Sequence, residues 1–582
     1  MSQRAMWYLP AIALLLLALA AWYLAGLEFS AVRNYLDRTA PDGEVETYSE
    51  QFHARVLGNL RTASAGLGAA GLAALLWARS LASGRKRHEQ STGWPAFKTD
   101  LRRGIHGLTK RTSVTHKRIV LVVILIGAAL RISQLWQPVI YDEAFTYVYF
   151  AARPFHVILS DYSYPNNHIL HTLLVKLSTA VFGMGRVQLR LPALIAGILV
   201  MPLFYAFARA MFNRYIALIA LSFVAASGCL IEYSALGRGY SLTWLFMVLS
   251  WIIGRHFAKT NNTVTAALFA LVNALGMWTV PTMIYIAVAG YCWLVMYLMT
   301  KYTASLQQRM GKLLLSLGGF VLLTLFFYLP VVVVHGVAQL FHHPTMGEVS
   351  WEQFSLNHQD RSFDLFAYIN DTAATWISGL GLLGLIYASY ISSKFRLIMA
   401  ATALGAIPIV ILQANVGPPR VWLYILFMLH LSSAIAIFYL LKLVQESMLE
   451  KLSKRVRTVA ASVVVLTGMG YLGLTGIQGR IERFPEAASA AAQFRTQTGP
   501  EDRVLVQFPW EAPLEFEVLA QGLDRQLLYR DPGPKGTTYI LVSPSDGQTL
   551  EGVLLHHDLP PSLAARAEKV TDRKRSEIFA LP

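Results

Sequence analysis

Cysteine is almost absent from this chain, and charge is scarce. Only Cys229 and Cys292 occur in 582 residues, both within apolar runs. That excludes a disulfide-stapled secreted domain and a cysteine-based zinc site. Charged residues make up 14%, against roughly 25% in a soluble globular chain. Hydrophobic residues reach 55%, and mean hydropathy is +0.44. A soluble enzyme and a disordered chain are therefore both excluded. No glycine-rich phosphate loop is present; Gly533-Pro534-Lys535-Gly536 reads as a turn. What the chain does have is a cationic excess, net +16. In a soluble protein that would suggest nucleic acid as a partner, so the question is where the charge sits.

A membrane-spanning helix needs about 20 mostly apolar residues. Such runs lie near 7–25, 62–78, 119–136, 189–208, 215–231, 239–254, 263–280, 282–299, 313–335, 372–391, 397–413, 420–441 and 458–476. The first run has the outline of a signal peptide, but Trp22, Tyr23 and Leu24 replace a small-residue cleavage site, so an uncleaved anchor is expected. Segment 79–118 carries eleven Lys and Arg against Glu89 and Asp100, net +9. By the positive-inside rule it is cytoplasmic. It is read as a topology signal against the inner leaflet, and no nucleic-acid partner is expected.

Residues 167–183 are apolar enough to tempt a further crossing, yet His171 and Lys176 interrupt them. Without that crossing, later inside loops hold fourteen basic residues and later outside connections hold three, Arg238, Arg361 and Arg420. A crossing would swap the two sets against the usual bias. The segment is therefore expected to lie along the outer membrane surface. The expected architecture is an all-α polytopic membrane protein of about 13 transmembrane helices with a small C-terminal α/β domain outside the cytoplasm. Its parts are two N-terminal helices with an outer loop (1–78), the basic cytoplasmic loop (79–118), a transmembrane core (119–476) with outer loops 137–188 and 336–371, and a soluble domain (477–582). In that domain 503–508, 526–529 and 538–542 read as strands, and 485–498 and 546–556 as helices.

Three outer segments carry residues that membrane composition does not explain. Tyr141-Asp142-Glu143 places two carboxylates at a membrane edge, suited to a general base, to a divalent cation, or simply to a helix N-terminus. Tyr162 to His171 is dense in phenols, amides and imidazoles, including Tyr164, Asn167, His168 and His171. His168 and His171 share a helix face, a weak metal-ligand spacing. Arg190, Arg238 and Arg420 sit at outer span ends, and Arg131 lies inside a span. Arginine at such depth is costly and usually paired or functional, and its fork matches phosphate. Loop 336–371, with His342, His343, Glu348, Glu352, His358, Asp360, Arg361, Asp364 and Asp371, could cover a cleft or simply be solvated.

These motifs, taken in order, resemble the GT-C superfamily of membrane glycosyltransferases. The series is Asp142-Glu143, Pro165-Asn166-Asn167-His168, Arg190-Leu191-Pro192-Ala193-Leu194, and Tyr233-Ser234 followed by Arg238-Gly239-Tyr240. It is most similar to the protein-mannosyltransferase branch (glycosyltransferase family 39), which includes bacterial lipid A aminoarabinose transferases. The resemblance is dense over 119–260 and looser to 476; residues 1–118 lie outside it.

The resemblance implies transfer of a hexosyl or pentosyl group from a polyprenyl-phosphate donor to a protein, lipid or glycan hydroxyl. The setting it implies is the outer side of a bacterial inner membrane. Asp142 matches the catalytic acid and Glu143 its neighbour, and both are catalytic candidates. Tyr141, Tyr164, Asn167, His168, His171, Arg190, Glu232, Arg238, Tyr240 and Arg420 are then the donor-binding candidates. A divalent cation (Mg, Mn or Zn), if one is used, would sit on Asp142, Glu143 or His168. Relatives often carry a second acid beside the arginine; here Ala235, Leu236 and Gly237 precede Arg238, and Glu232 is the nearest carboxylate. The alternative from another class is a transporter or flippase of a lipid-linked or anionic solute, which would place its ionisable groups near the bilayer midplane.

Overall fold

The computed structural model describes residues 3–38, 48–83, 93–110, 112–300, 305–336, 350–447, 466–470, 481–533 and 536–582. Among these, five helices are long and apolar enough to cross a membrane: Arg186–Met211, Tyr240–Thr260, Leu306–His335, Arg396–Gln413 and Ile425–Val444. The number rises to eight if each of three sharply bent helix pairs is one span. Helix Glu50–Ser83 covers the run at 62–78, and Val114–Ser133 covers the run at 119–136 except its last three residues. Apart from 466–470, the run at 458–476 lies outside the described residues.

Residues 167–183 form the helix Ile169–Phe182, too short to span and packed against Arg186–Met211. The helix of residues 3–24 pairs with Glu50–Ser83, where Ser64 Oγ donates to the Ala18 carbonyl. This N-terminal pair is joined to the bundle by Asn59 Nδ2, which donates to the Val333 carbonyl at 3.0 Å.

The helix pair Arg214–Ala226 and Gly228–Ser234 bends by 61°. Such a bend leaves carbonyls without helical partners. The Arg131 guanidinium supplies the missing donors: it hydrogen-bonds the carbonyls of Val224 and Ala225 at 3.1 Å and Ser234 Oγ at 3.3 Å. Arg131 is thus a buried brace inside the bundle.

The chain from Pro485 onward builds a four-stranded sheet in the order β1-β2-β4-β3. β1 (Arg503–Leu505) runs parallel to β2 (Thr538–Val542), and β4 (Glu577–Leu581) is antiparallel to both β2 and β3 (Glu568–Asp572). The parallel pair requires a crossover connection, and helix Glu511–Ala520 lies within it. Phe484, Phe494, Trp510, Leu514, Leu541 and Ile578 form its core. Residues 526–529 do not form the expected strand. Asp524 accepts a hydrogen bond from the Gln526 N–H and starts a 3-10 turn, Arg525–Leu528.

This C-terminal unit sits on the bundle end that carries Tyr141–Thr146. The Phe484 N–H donates to the Val139 carbonyl, and Arg186 forms an ion pair with Glu517 at 2.8 Å. Ala512 and Phe516 join one apolar cluster with Val139, Phe145 and Tyr147.

Candidate functional site

The Asp-Glu pair opens the short helix Tyr141–Thr146, which passes directly into a π-helical turn, Tyr147–Ala151. The two neighbouring carboxylates have opposite surroundings. Glu143 is fully buried. It accepts hydrogen bonds from the Ile140 N–H at 3.1 Å, from the Gly237 N–H at 2.7 Å and from Arg190 through both carboxylate oxygens. Burial pushes its pKa up, but Arg190 and the two backbone donors outweigh that and hold it below the ordinary glutamate value. Arg190 is equally buried, and its remaining donors reach the carbonyls of Leu135, Gln137 and Pro138. Glu143 and Arg190 are thus a closed bidentate pair that fixes the turn after helix Val114–Ser133.

Gly237-Arg238-Gly239 is strapped down on both sides. The Gly237 N–H is held by Glu143, and the Gly239 N–H donates to His168 Nδ1 at 2.9 Å. Both glycines are required by close approach. A Cβ at Gly237 would lie 2.9 Å from Leu189, and one at Gly239 would lie 2.9 Å from Thr279 and 3.0 Å from His168 Nδ1. The intervening Arg238 is 3% exposed. Its Nη1 donates to Thr146 Oγ1 at 2.9 Å and to the Asn166 carbonyl at 3.1 Å, and its Nη2 lies 3.2 Å from His168 Nε2. His168 is buried beside this fixed cation. Burial first, then Arg238, drives its pKa well below the ordinary histidine value, so the ring is neutral.

Asp142 faces a cavity of about 390 Å³. Its carboxylate lies 3.5 Å from Arg420 and 3.9 Å from Arg238, and its side chain is 27% exposed. Arg420, on the 3-10 turn Pro419–Trp422, is 46% exposed. Tyr141, Glu232, Tyr233, Tyr240, Tyr368 and Glu482 complete the polar lining, with Ile140, Leu236 and Ile481 as apolar wall. Tyr240 stacks edge-on against both His168 and Tyr233. One mildly exposed carboxylate beside two guanidiniums, walled by phenols, suits an anionic group next to a hydroxyl that must lose a proton.

The expected residues divide accordingly. Tyr141, Asp142, Glu232, Arg238, Tyr240 and Arg420 come together at the cavity. His168 backs it through Arg238 and Tyr240. Tyr164 does not line it; its ring packs on Phe145 and Tyr149. Asn167 is buried and donates to the carbonyls of Ile158 and Asp161, holding the preceding loop. His171 is buried with neither ring nitrogen bonded among the described residues, and burial lowers its pKa to about 3. Tyr164, Asn167 and His171 thus stand outside the lining of this cavity.

Glu232 is ion-paired with Arg483 at 2.9 Å, a partner 251 residues away that no motif announces. In the loop expected at 336–371, residues 351–373 form one continuous helix, Trp351–Ala373, which contributes Tyr368 and Thr372 to the cavity. His342, His343 and Glu348 lie outside the described residues. Tyr233 and Tyr368 were missed as lining groups. Tyr233 stood within a quoted motif, whereas Tyr368 had no signal beyond its outer-loop position.

A divalent cation would need several oxygen or imidazole donors turned on one point. Here Glu143 is closed on Arg190, His168 is behind Arg238, and Asp142 meets two cations. Among the described residues no group of three or more His, Cys, Asp or Glu converges. Asp142, Glu143 and His168 as arranged here do not fit a metal ion.

Residues 166–329 match the profile of a family described as dolichyl-phosphate-mannose-protein mannosyltransferase. The matched stretch holds His168, Arg190 and Arg238 and begins after Asp142. The resemblance read from the motif series thus has a family match over its central part. No curated protein matches the chain in sequence. Among solved structures, the chain is similar to ArnT from Cupriavidus metallidurans bound to undecaprenyl phosphate (15% identity, TM-score 0.48, covering 81% of this chain and 98% of that one). It is also similar to the oligosaccharyltransferase AglB from Archaeoglobus fulgidus in complex with an inhibitory peptide and a dolichol-phosphate (12% identity, TM-score 0.45, covering 81% and 74%).

Proposed function

We propose that the protein is an integral-membrane glycosyltransferase that moves a hexosyl or pentosyl group from a polyprenyl-phosphate donor to an acceptor hydroxyl. The observation that carries this reading is Asp142 between Arg238 and Arg420 in a cavity at one end of an apolar helical bundle. The mannosyltransferase profile match at 166–329 supports the reaction class. The cavity end is the extracytoplasmic face of a bacterial inner membrane, since the basic loop 79–118 then lies inside. The chain crosses thirteen times, with 119–476 as the catalytic core and 477–582 outside.

In this mechanism the donor phosphate docks against Arg420, with Arg238 fixed behind it. Asp142 accepts the acceptor hydroxyl proton as that oxygen attacks the anomeric carbon. The carbon–phosphate-oxygen bond breaks and the lipid phosphate leaves with its electron pair, so direct attack inverts the anomeric centre. A phosphate is already a good leaving group, so holding its charge matters more than protonating it. Tyr240 and Tyr233 offer aromatic faces and hydroxyls to the sugar. No step passes through a metal.

The test is Asp142→Asn in membranes supplied with the radiolabelled polyprenyl-phosphate sugar fraction of the source cells. Loss of a positioned base lowers rates by about 10²–10⁴-fold. Transfer at the full rate would remove Asp142 from the mechanism. Movement of labelled lipid without a new glycosidic bond would favour a flippase instead.

A further inference from the structure

The mechanism above leaves out Tyr141, although it lines the cavity and precedes Asp142 directly. Its hydroxyl donates to Glu511 Oε1 at 2.7 Å, and its ring lies edge-on to Phe508 at 5.1 Å. Both partners belong to the C-terminal unit, 370 residues away in sequence for Glu511. The next turn is gripped by the same unit, because Phe516 packs edge-on against Tyr147 at 5.5 Å. The Asp142 carbonyl accepts from Thr146 Oγ1 at 2.8 Å, and its carboxylate is held by Arg420 at 3.5 Å and Arg238 at 3.9 Å. Glu143 holds the turn on one side of Asp142, and the Tyr141–Glu511 bond holds it on the other, so the direction of Asp142 depends in part on what holds Tyr141.

We infer that Glu511 is a positioning residue for the reaction: through the Tyr141 hydroxyl, the C-terminal unit sets the orientation of the Asp142 carboxylate. The inference rests on Asp142 being the base proposed above. Glu511 acts here as an acceptor, not as a charge. Its second oxygen, Oε2, is buried without a hydrogen-bond partner among the described residues, and burial raises its pKa. A neutral acceptor of the same shape should serve as well. A base displaced by about 1 Å can lose about 10²-fold in rate without any change in substrate contacts.

The experiment uses the full-length protein in lipid nanodiscs, with two readouts: transfer from the radiolabelled polyprenyl-phosphate sugar fraction, and affinity for undecaprenyl phosphate. Glu511→Ala is expected to lower turnover at least about tenfold while leaving undecaprenyl phosphate affinity within about threefold. Glu511→Gln, whose amide oxygen can still accept from Tyr141, is expected to restore turnover to within about threefold of the parent. Tyr141→Phe should match Glu511→Ala, and the double variant should be no slower than either, since both remove one interaction.

Three results would overturn the inference. One is full turnover in Glu511→Ala. Another is a Glu511→Gln variant as slow as the alanine variant. The third is a fall in lipid affinity that equals the fall in turnover, which would indicate general loosening of the domain contact. If Glu511→Ala is fully active while Asp142→Asn is inactive, only the inference fails. If both are fully active, the reading of Asp142 fails with it.

Discussion

Three arginines stand at outer span ends against the charge bias and a fourth, Arg131, stands inside a span; burial separates them. Arg131 and Arg190 are fully buried and engaged with carbonyls or a carboxylate, Arg238 is nearly so, and Arg420 is 46% exposed. A bidentate buried pair is dangerous to break, because the surviving charge has no water to turn to. Glu143→Gln, which leaves Arg190 charged and without its counter-ion, is expected to cost about 3–5 kcal/mol. The protein should then lose its monodisperse peak and its thermal transition before any effect on lipid affinity can be read. Arg420→Ala should do the reverse. The fold persists, with a thermal midpoint near that of the parent, while affinity for undecaprenyl phosphate falls about 10–100-fold, as for one charge-assisted contact of about 1.5–3 kcal/mol. Equal affinity in the parent and the Arg420→Ala variant would remove Arg420 from the phosphate site. The sequence made these residue types legible as a group. It could not separate brace from binder, because that depends on which carbonyls a helix bend leaves open.

Elements, more than single residues, decide how the site is assembled. The Gly237-Arg238-Gly239 turn is one element with three attachments: Glu143 on one glycine, His168 on the other, and Thr146 with Asn166 on the arginine. Gly239→Ala would push a methyl to within 2.9 Å of Thr279 and 3.0 Å of His168. The expected cost is about 1–3 kcal/mol of overpacking, read as a lowered thermal midpoint, with slower transfer because Arg238 and His168 move together. A Gly239→Ala protein with the parent's midpoint and rate would show that the turn has slack. The motifs that form this element and the mainly helical, apolar character of the chain could be read from composition and order. The edge strand β3 could not: Glu568-Lys569-Val570-Thr571-Asp572 is mostly exposed and lacks the apolar alternation that marks a half-buried strand. Helix Glu511–Ala520 also went unread, although it supplies Glu511 and Glu517 to the bundle. Its acids face partners that no local pattern reveals.

At the scale of the whole molecule, the net charge of +16 and the buried ionisable groups govern different properties. The proposed topology assigns the cationic excess to orienting the chain in the membrane, while the buried groups set how its stability responds to pH. His168 and His171 are buried and neutral, with pKa values pushed below the ordinary histidine value by burial and then by Arg238. Below about 6.5 the unfolded chain takes up protons that the folded chain refuses, so each such histidine removes stability as pH falls, by about 1.36 kcal/mol per pH unit. Glu143, with its pKa lowered, adds a further loss in more acid solution, as pH falls through its folded value. Glu511, Glu515 and Glu517 act in the opposite sense. Burial raises their pKa values, so between the ordinary glutamate value and the raised one stability falls as pH rises. The absolute pH profile therefore mixes both signs, and a difference between two proteins is the cleaner measurement. His171 offers it, because its two ring nitrogens are buried without hydrogen-bond partners among the described residues and it lines no part of the cavity. His171→Leu should raise the thermal midpoint at pH 7.5 by removing an unsatisfied polar group, worth about 1–3 kcal/mol. At pH 5.5 the gain should be larger by about 1.36 kcal/mol, one pH unit below the ordinary histidine value. Transfer activity should be unchanged at pH 7.5. Equal gains at both pH values would mean that His171 titrates normally in the folded protein. A selective loss of transfer would return it to the binding site.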